Sequence, residues 1–161
     1  MKYMGLDNGV YMITNVTIPE SLRENVDWMD FYCEKNEETG EIEYIYELCY
    51  WRKCWGIRDR ILNSLVDFDG VAHDEVWKYY TSDMKFLDIM TEANYHFLNP
   101  ENWDDHTSQI WEWHEYAPQL TRNMIGIEWA KELIKAWMNG DLDEEMKGAK
   151  PYWKFHFVDS Y

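Results

Sequence analysis

An α+β fold is predicted for this chain of 161 residues, with a mainly antiparallel sheet packed against about three helices. Three patterns carry that expectation. The arms "DWMDFYCEK" and "EIEYIYEL" flank "NEETG", whose Asn36 and Gly40 suit a hairpin loop. From Pro118 to Met138, apolar residues (Leu120, Met124, Ile127, Leu133, Ile134, Trp137) recur on a broad helical face that stops at Asn139-Gly140. The terminal "YWKFHFVDSY" alternates as a strand does.

In chain order, Gly9–Thr14 ("GVYMIT") reads as a short N-terminal strand entered through a turn at Asp7-Asn8-Gly9. Pro19–Asn25 reads as a helical turn. In the second hairpin arm, Ile42, Tyr44 and Tyr46 alternate with Glu41, Glu43, Ile45 and Glu47, which predicts one covered face and one wet face. Trp51, Cys54, Trp55, Arg58, Ile61, Leu62 and Leu65 recur at helical spacing, so Tyr50–Val66 reads as a helix ended by "DFDG". "EVWKYY" reads as another strand. Thr81 or Ser82 would cap a helix running to about Leu98, before Asn99-Pro100, and "NPENWDDHTSQ" reads as a polar loop. No repeat, low-complexity tract or linker divides the chain, so residues 1–161 are expected to form a single domain.

The charge narrows the function classes. With 15 Lys and Arg against 31 Asp and Glu, the formal charge is −16. A field of that sign opposes direct nucleic-acid binding and anionic membranes, and it favours encounter with basic surfaces. The 10 Trp, 12 Tyr and 6 Phe are more aromatic surface than one small core hides, at roughly 150–250 Å² each, so some are expected at a pocket or contact surface. Cys33, Cys49 and Cys54 are odd in number and lack C-x-x-C spacing, which reads as reduced intracellular thiols. Without a signal-like leader or a long apolar run, the expected location is the cytoplasm.

"MGLDNGVYM", "YELCYWRKCWGIRDRI" and "KFHFVDSY" together resemble a family of small uncharacterised phage and prophage proteins. Its members open Met-Gly-Leu-Asp, carry an internal Tyr-Trp-Arg-Lys segment and end on a Ser-aromatic pair. The matching positions are Met4, Gly5, Leu6, Asp7, Tyr50, Trp51, Arg52, Lys53, Ile57, Ser160 and Tyr161. The resemblance implies a phage context, inside the host bacterial cell, and points to the Tyr50–Lys53 segment.

That segment is also where an acidic chain gathers cations. Tyr50, Trp51, Arg52, Lys53, Trp55 and Arg58 are the candidate ligand-binding residues, because an indole beside guanidinium groups can stack on a base while the cations hold phosphate. The alternative is a buttress, with the tryptophans in the core and the cations paired to Glu41, Glu43, Glu47 or Asp59. Asp7 and Asn8, between two glycines, would add a tight loop able to seat an anion, or simply a turn. Trp111, Glu112, Trp113 and Glu115 in "WEWHEY" are the candidate partner-binding residues, an aromatic patch rimmed by carboxylates. "LVDFDGV" resembles the nucleophile loop of haloacid-dehalogenase-type phosphatases, with Asp67 and Asp69 as nucleophile and acid/base beside magnesium. That chemistry needs a buried parallel strand before the aspartates, where this sequence reads as helix. His73, His106 and His114 lack a recognised metal spacing.

The expectation is therefore a non-enzymatic, phage-encoded accessory protein acting against host defence, with no cofactor, metal or catalytic residue assigned. It would sequester a small phosphorylated signal, a cyclic or ADP-ribose-type nucleotide. The alternative is an acidic aromatic inhibitor that blocks a basic, nucleic-acid-binding host protein, and the remote alternative is the Asp67/Asp69 phosphatase. A homo-oligomer would serve either binding mode.

Overall fold

The structure, a computed structural model, describes residues 7–65, 71–73, 77–108, 112–142 and 152–160; the side chains of Asp7, of 71–80 and of 159–160 lie outside what it describes. The six strands are β1 (Asp7–Thr14), β2 (Phe31–Lys35), β3 (Ile42–Arg52), β4 (Val71–His73), β5 (Trp77–Thr81) and β6 (Trp153–Ser160). They form one antiparallel sheet in the order β2-β3-β1-β6-β5-β4. The helices are α1 (Trp55–Leu65), α2 (Lys85–Leu98) and α3 (Trp113–Met138). This is the expected α+β class, with N-terminal strand, hairpin and C-terminal strand side by side.

β1 is central, and its alternation sets the two faces of the sheet. Val10 and Met12 point into the core, opposite Cys49 and Tyr46 on one side and Phe157 and Phe155 on the other. α2 reaches this face through Phe86, which stacks on Phe155 at 6.1 Å, and α3 reaches it through Trp129, 5.8 Å from the Tyr46 ring. The opposite face carries Tyr11, Ile13, Ile45, Lys154 and His156.

The hairpin forms as its loop chemistry requires. Asn36 Oδ1 accepts from the Glu38 and Thr39 amides, and Gly40 takes the positive φ of 78° that returns the chain. The far end of α3 also follows its sequence signal. Gly140 (φ 80°) donates to Trp137 O and Asp141 N donates to Ala136 O, a Schellman ending. Pro19–Asn25 becomes two short 3-10 turns, Glu20–Leu22 and Glu24–Val26.

Several expectations are corrected. The helix read over Tyr50–Val66 is strand as far as Arg52, and α1 begins only at Trp55. A register shift between Val10 and Tyr11 admits an extra β3 residue. Leu48, Cys49 and Trp51 are all buried, so no period of two survives to mark the strand. Lys53, at φ 51°, turns the chain from strand to helix. Asp7, Asn8 and Gly9 are not an entry turn but lie within β1, between β3 and β6. α2 starts at Lys85, whose amide Asp83 Oδ1 accepts, while Thr81 Oγ1 accepts from Asp83 N; neither Thr81 nor Ser82 is the cap. α3 begins at Trp113 rather than Pro118, because tertiary anchors at Trp113 and Tyr116 hold its first turns in place. The wet face of β3 is not uniformly wet: Glu43 is buried, and Tyr152 Oη donates to its Oε2.

Candidate functional site

β2 ends opposite Tyr46, so β3 continues to Arg52 with no strand on that side. A strand edge left open inside a fold needs partners for its backbone N–H and C=O groups. α3 supplies them. Asn123 Oδ1 accepts from Tyr50 N at 3.1 Å while its Nδ2 donates to Tyr50 O at 3.2 Å, so one carboxamide replaces the missing strand. Seven residues earlier, two helical turns along the same face, the Tyr116 hydroxyl donates to Arg52 O at 2.6 Å. Further along the helix Gly126 lies so close to β3 that an added Cβ would stand 2.6 Å from Leu48 O.

The seal continues inward as a satisfied polar network. Asn94 Oδ1 accepts from Trp51 Nε1 and Asn123 Nδ2, Asn94 Nδ2 donates to Met90 O, and Gln119 Nε2 donates to Asn123 Oδ1. Both asparagines are buried, where unpaired amides would be costly. Burial pushes the Cys54 thiol up to about 12 and the Cys49 thiol upward as well, which makes both poor nucleophiles. Burial likewise raises the Tyr116 phenol to about 12, so it remains a donor at neutral pH.

Outside this seal lies a cavity of about 310 Å³, lined by Tyr50, Arg52, Glu115, Tyr116, Pro118, Gln119 and Arg122. A smaller space of about 90 Å³, bordered by Trp28, Asp30 and Glu47, shares Tyr50, Gln119 and Arg122 with it. The Arg122 guanidinium lies 5.0 Å from the Trp28 ring centroid. Arg52 and Arg122 are exposed, and neither forms an ion pair among the described residues. The notch thus sets two guanidinium groups beside the Tyr50 and Tyr116 rings, the Gln119 amide and the Glu115 carboxylate, on a backbone frame fixed by hydrogen bonds, with Arg122 held over the Trp28 indole at its margin.

Of the residues expected to bind ligand, Tyr50 and Arg52 share this notch. Trp51 does not: it is wholly buried, with its indole N–H on Asn94, and belongs to the core. Trp55 and Arg58 lie on α1, where Arg58 sits over the Trp55 ring at 5.7 Å and pairs with Asp59 at 3.1 Å. Arg60 pairs with Glu92 instead of the hairpin glutamates. Lys53 marks the strand-to-helix turn and does not line the cavity. Asn8 is buried and donates to Val158 O at 3.4 Å. The anion loop read into Asp7 and Asn8 is corrected by their place in the sheet, whose ladders occupy the backbone there; β1 does set Asp7 opposite Arg52.

Trp111 lies outside the described residues, as do Asp67 and Asp69. Trp113 is half-buried with its indole donating to Leu98 O, a helix anchor rather than a free contact residue. Glu112 and Glu115 are exposed and flank His114 at 3.7 and 3.8 Å. α1, not a parallel strand, leads into the segment containing Asp67, so the backbone setting of the phosphatase loop is not met. Among the described residues no three His, Cys, Asp or Glu side chains are placed to hold a metal ion, and no helix is long and apolar enough to cross a membrane.

Arg122, Gln119 and Trp28 were missed from sequence. A usable signal exists for Gln119 alone: with Asn123 it interrupts the apolar face of a helix whose other inward positions are Leu120, Ile127 and Ile134.

No family model, curated protein or solved structure matches the chain. The notch therefore stands on its own geometry.

Proposed function

We propose that the protein binds a small phosphorylated ligand in the notch between the open edge of β3 and the first turns of α3. The observation that carries this reading is the pair Arg52 and Arg122, two guanidinium groups without ion pairs among the described residues in a chain of charge −16. Guanidinium groups are suited to bidentate phosphate contacts, and the Tyr50 ring lines the same cavity beside them. A volume of about 310 Å³ lies at the small end of ligand sites, which favours a mononucleotide or cyclic mononucleotide over a dinucleotide. With the phage resemblance of the Tyr50–Lys53 segment, the biological reading is sequestration of a host defence signal without turnover.

Thermal shift and calorimetry with AMP, cyclic AMP, ADP-ribose and inorganic phosphate test this. At least one nucleotide stabilises the protein, and Arg52→Ala or Arg122→Ala weakens its binding by about 10- to 100-fold, the range for a charged hydrogen bond. Arg58→Ala leaves it unchanged, since Arg58 lies on α1 beside Asp59. No stabilisation by any of the four, or equal binding by the Arg52 and Arg122 variants, would overturn the reading.

A further inference from the structure

The hairpin concentrates two features that folding alone does not require. Phe31, Tyr32 and Ile42 are 43%, 53% and 47% exposed, three of the six large apolar side chains so exposed among the described residues. Around them, Asp30, Glu34, Glu37, Glu38, Glu41, Glu43 and Glu47 against Lys35 alone give residues 30–47 a formal charge of −6. β2 is also the terminal strand of the sheet, and all five of its residues are exposed. Its edge lacks the usual protections of a proline or a bulge and has one lysine, at its end. Glu34 stands directly opposite Glu43 but, unlike it, is exposed: the Glu43 carboxylate is buried against Tyr152 and lies 4.0 Å from Lys154 Nζ.

We infer that the free edge of β2 is a docking surface for a lysine- or arginine-rich extended segment of a partner protein, added as a seventh strand. Main-chain hydrogen bonds along β2 would supply the register, and alternate side chains of the segment would meet the two faces of the edge. Cations on one face would meet the exposed Glu34 carboxylate, while Tyr32 offers a ring on the same face. Phe31, on the other face, already accepts a guanidinium: Arg23 sits 4.6 Å from its centroid. The loop bonds of Asn36 hold the hairpin in shape beforehand, which lowers the ordering cost of binding. A second copy of the chain is the weaker occupant, because two hairpins of charge −6 would face each other. This surface is separate from the notch and does not rest on the phosphate reading.

The test uses the full chain and a decapeptide alternating lysine with threonine and valine, followed by fluorescence anisotropy. A peptide of the same charge with prolines at alternate positions, unable to add as a strand, is the control. The alternating peptide binds, binding weakens with salt, and hydrogen exchange of the β2 amides slows. Phe31→Ser or Tyr32→Ser, both at exposed positions, lowers affinity by about tenfold or more, whereas Arg52→Ala and Arg122→Ala do not change it. Absence of binding, equal binding of the proline peptide, or a dimer in sedimentation that Tyr32→Ser dissociates would each overturn the inference.

Discussion

Asn123 shows how much one side chain can carry. Its carboxamide bonds both polar groups of Tyr50, receives Gln119 and donates to Asn94, so it joins the strand edge, the helix and the core. Asn123→Ala would leave the Tyr50 amide and carbonyl without those partners and withdraw one donor from Asn94. The expected loss is about 2–4 kcal/mol in urea denaturation, with an unchanged m-value. A loss below about 0.5 kcal/mol would mean that water replaces the amide freely and the edge is not sealed. The same geometry explains why Trp51 and Arg52, neighbours in sequence, differ so completely. Adjacent strand residues face opposite sides of the sheet, so one indole is committed to Asn94 and one guanidinium is left for solvent or ligand.

α3 is the element on which the candidate site depends. Tyr116, Asn123 and Gly126 lie along one stripe of the helix, and that stripe runs along the open edge of β3. Gly126 permits the close approach. In an exposed helix Gly→Ala would stabilise by about 1 kcal/mol, but here the new methyl meets the Leu48 carbonyl, a backbone group that cannot rotate away. Gly126→Ala is expected to cost about 1–3 kcal/mol net, read from denaturation midpoints, and to weaken ligand binding by displacing Gln119 and Arg122. Unchanged stability would show that the helix can shift without strain. The hairpin loop was legible because Asn36 and Gly40 act locally, and the Asn139-Gly140 stop for the same reason. The β3 strand was not. Its bulge and its coverage by α3 removed the alternation, and the spacing of Trp51 and Trp55 then imitated a helix.

Charge governs the behaviour of the molecule as a whole. A formal charge of −16 on 161 residues sets many carboxylates against one another, while ion pairs such as Lys131–Asp88 and Arg60–Glu92 compensate only locally. Raising NaCl from about 20 mM to about 200 mM shortens the screening length severalfold. The thermal midpoint should rise by about 2–4 °C, equivalent to about 1 kcal/mol, in a scan without ligand. A midpoint that stays level or falls would show that local pairs outweigh the general repulsion. The same field restricts partners: an anionic ligand needs a local guanidinium seat, and a protein partner gains from being basic.

The sequence settled the α+β class, the hairpin, the end of the long helix and the acidic field, because each follows from local turn chemistry, periodicity or composition. It also drew attention to Tyr50 and Arg52. Only tertiary structure decided which of the clustered cations stand free. Trp51, Trp55 and Arg58 left the candidate site, and Arg122 joined Tyr50 and Arg52 there. The physical reason is that a strand sends neighbours to opposite faces, and the partner that completes the open edge comes from a helix some seventy residues later, Asn123 meeting Tyr50 across 73 positions. Spacing along the chain carries no trace of that meeting.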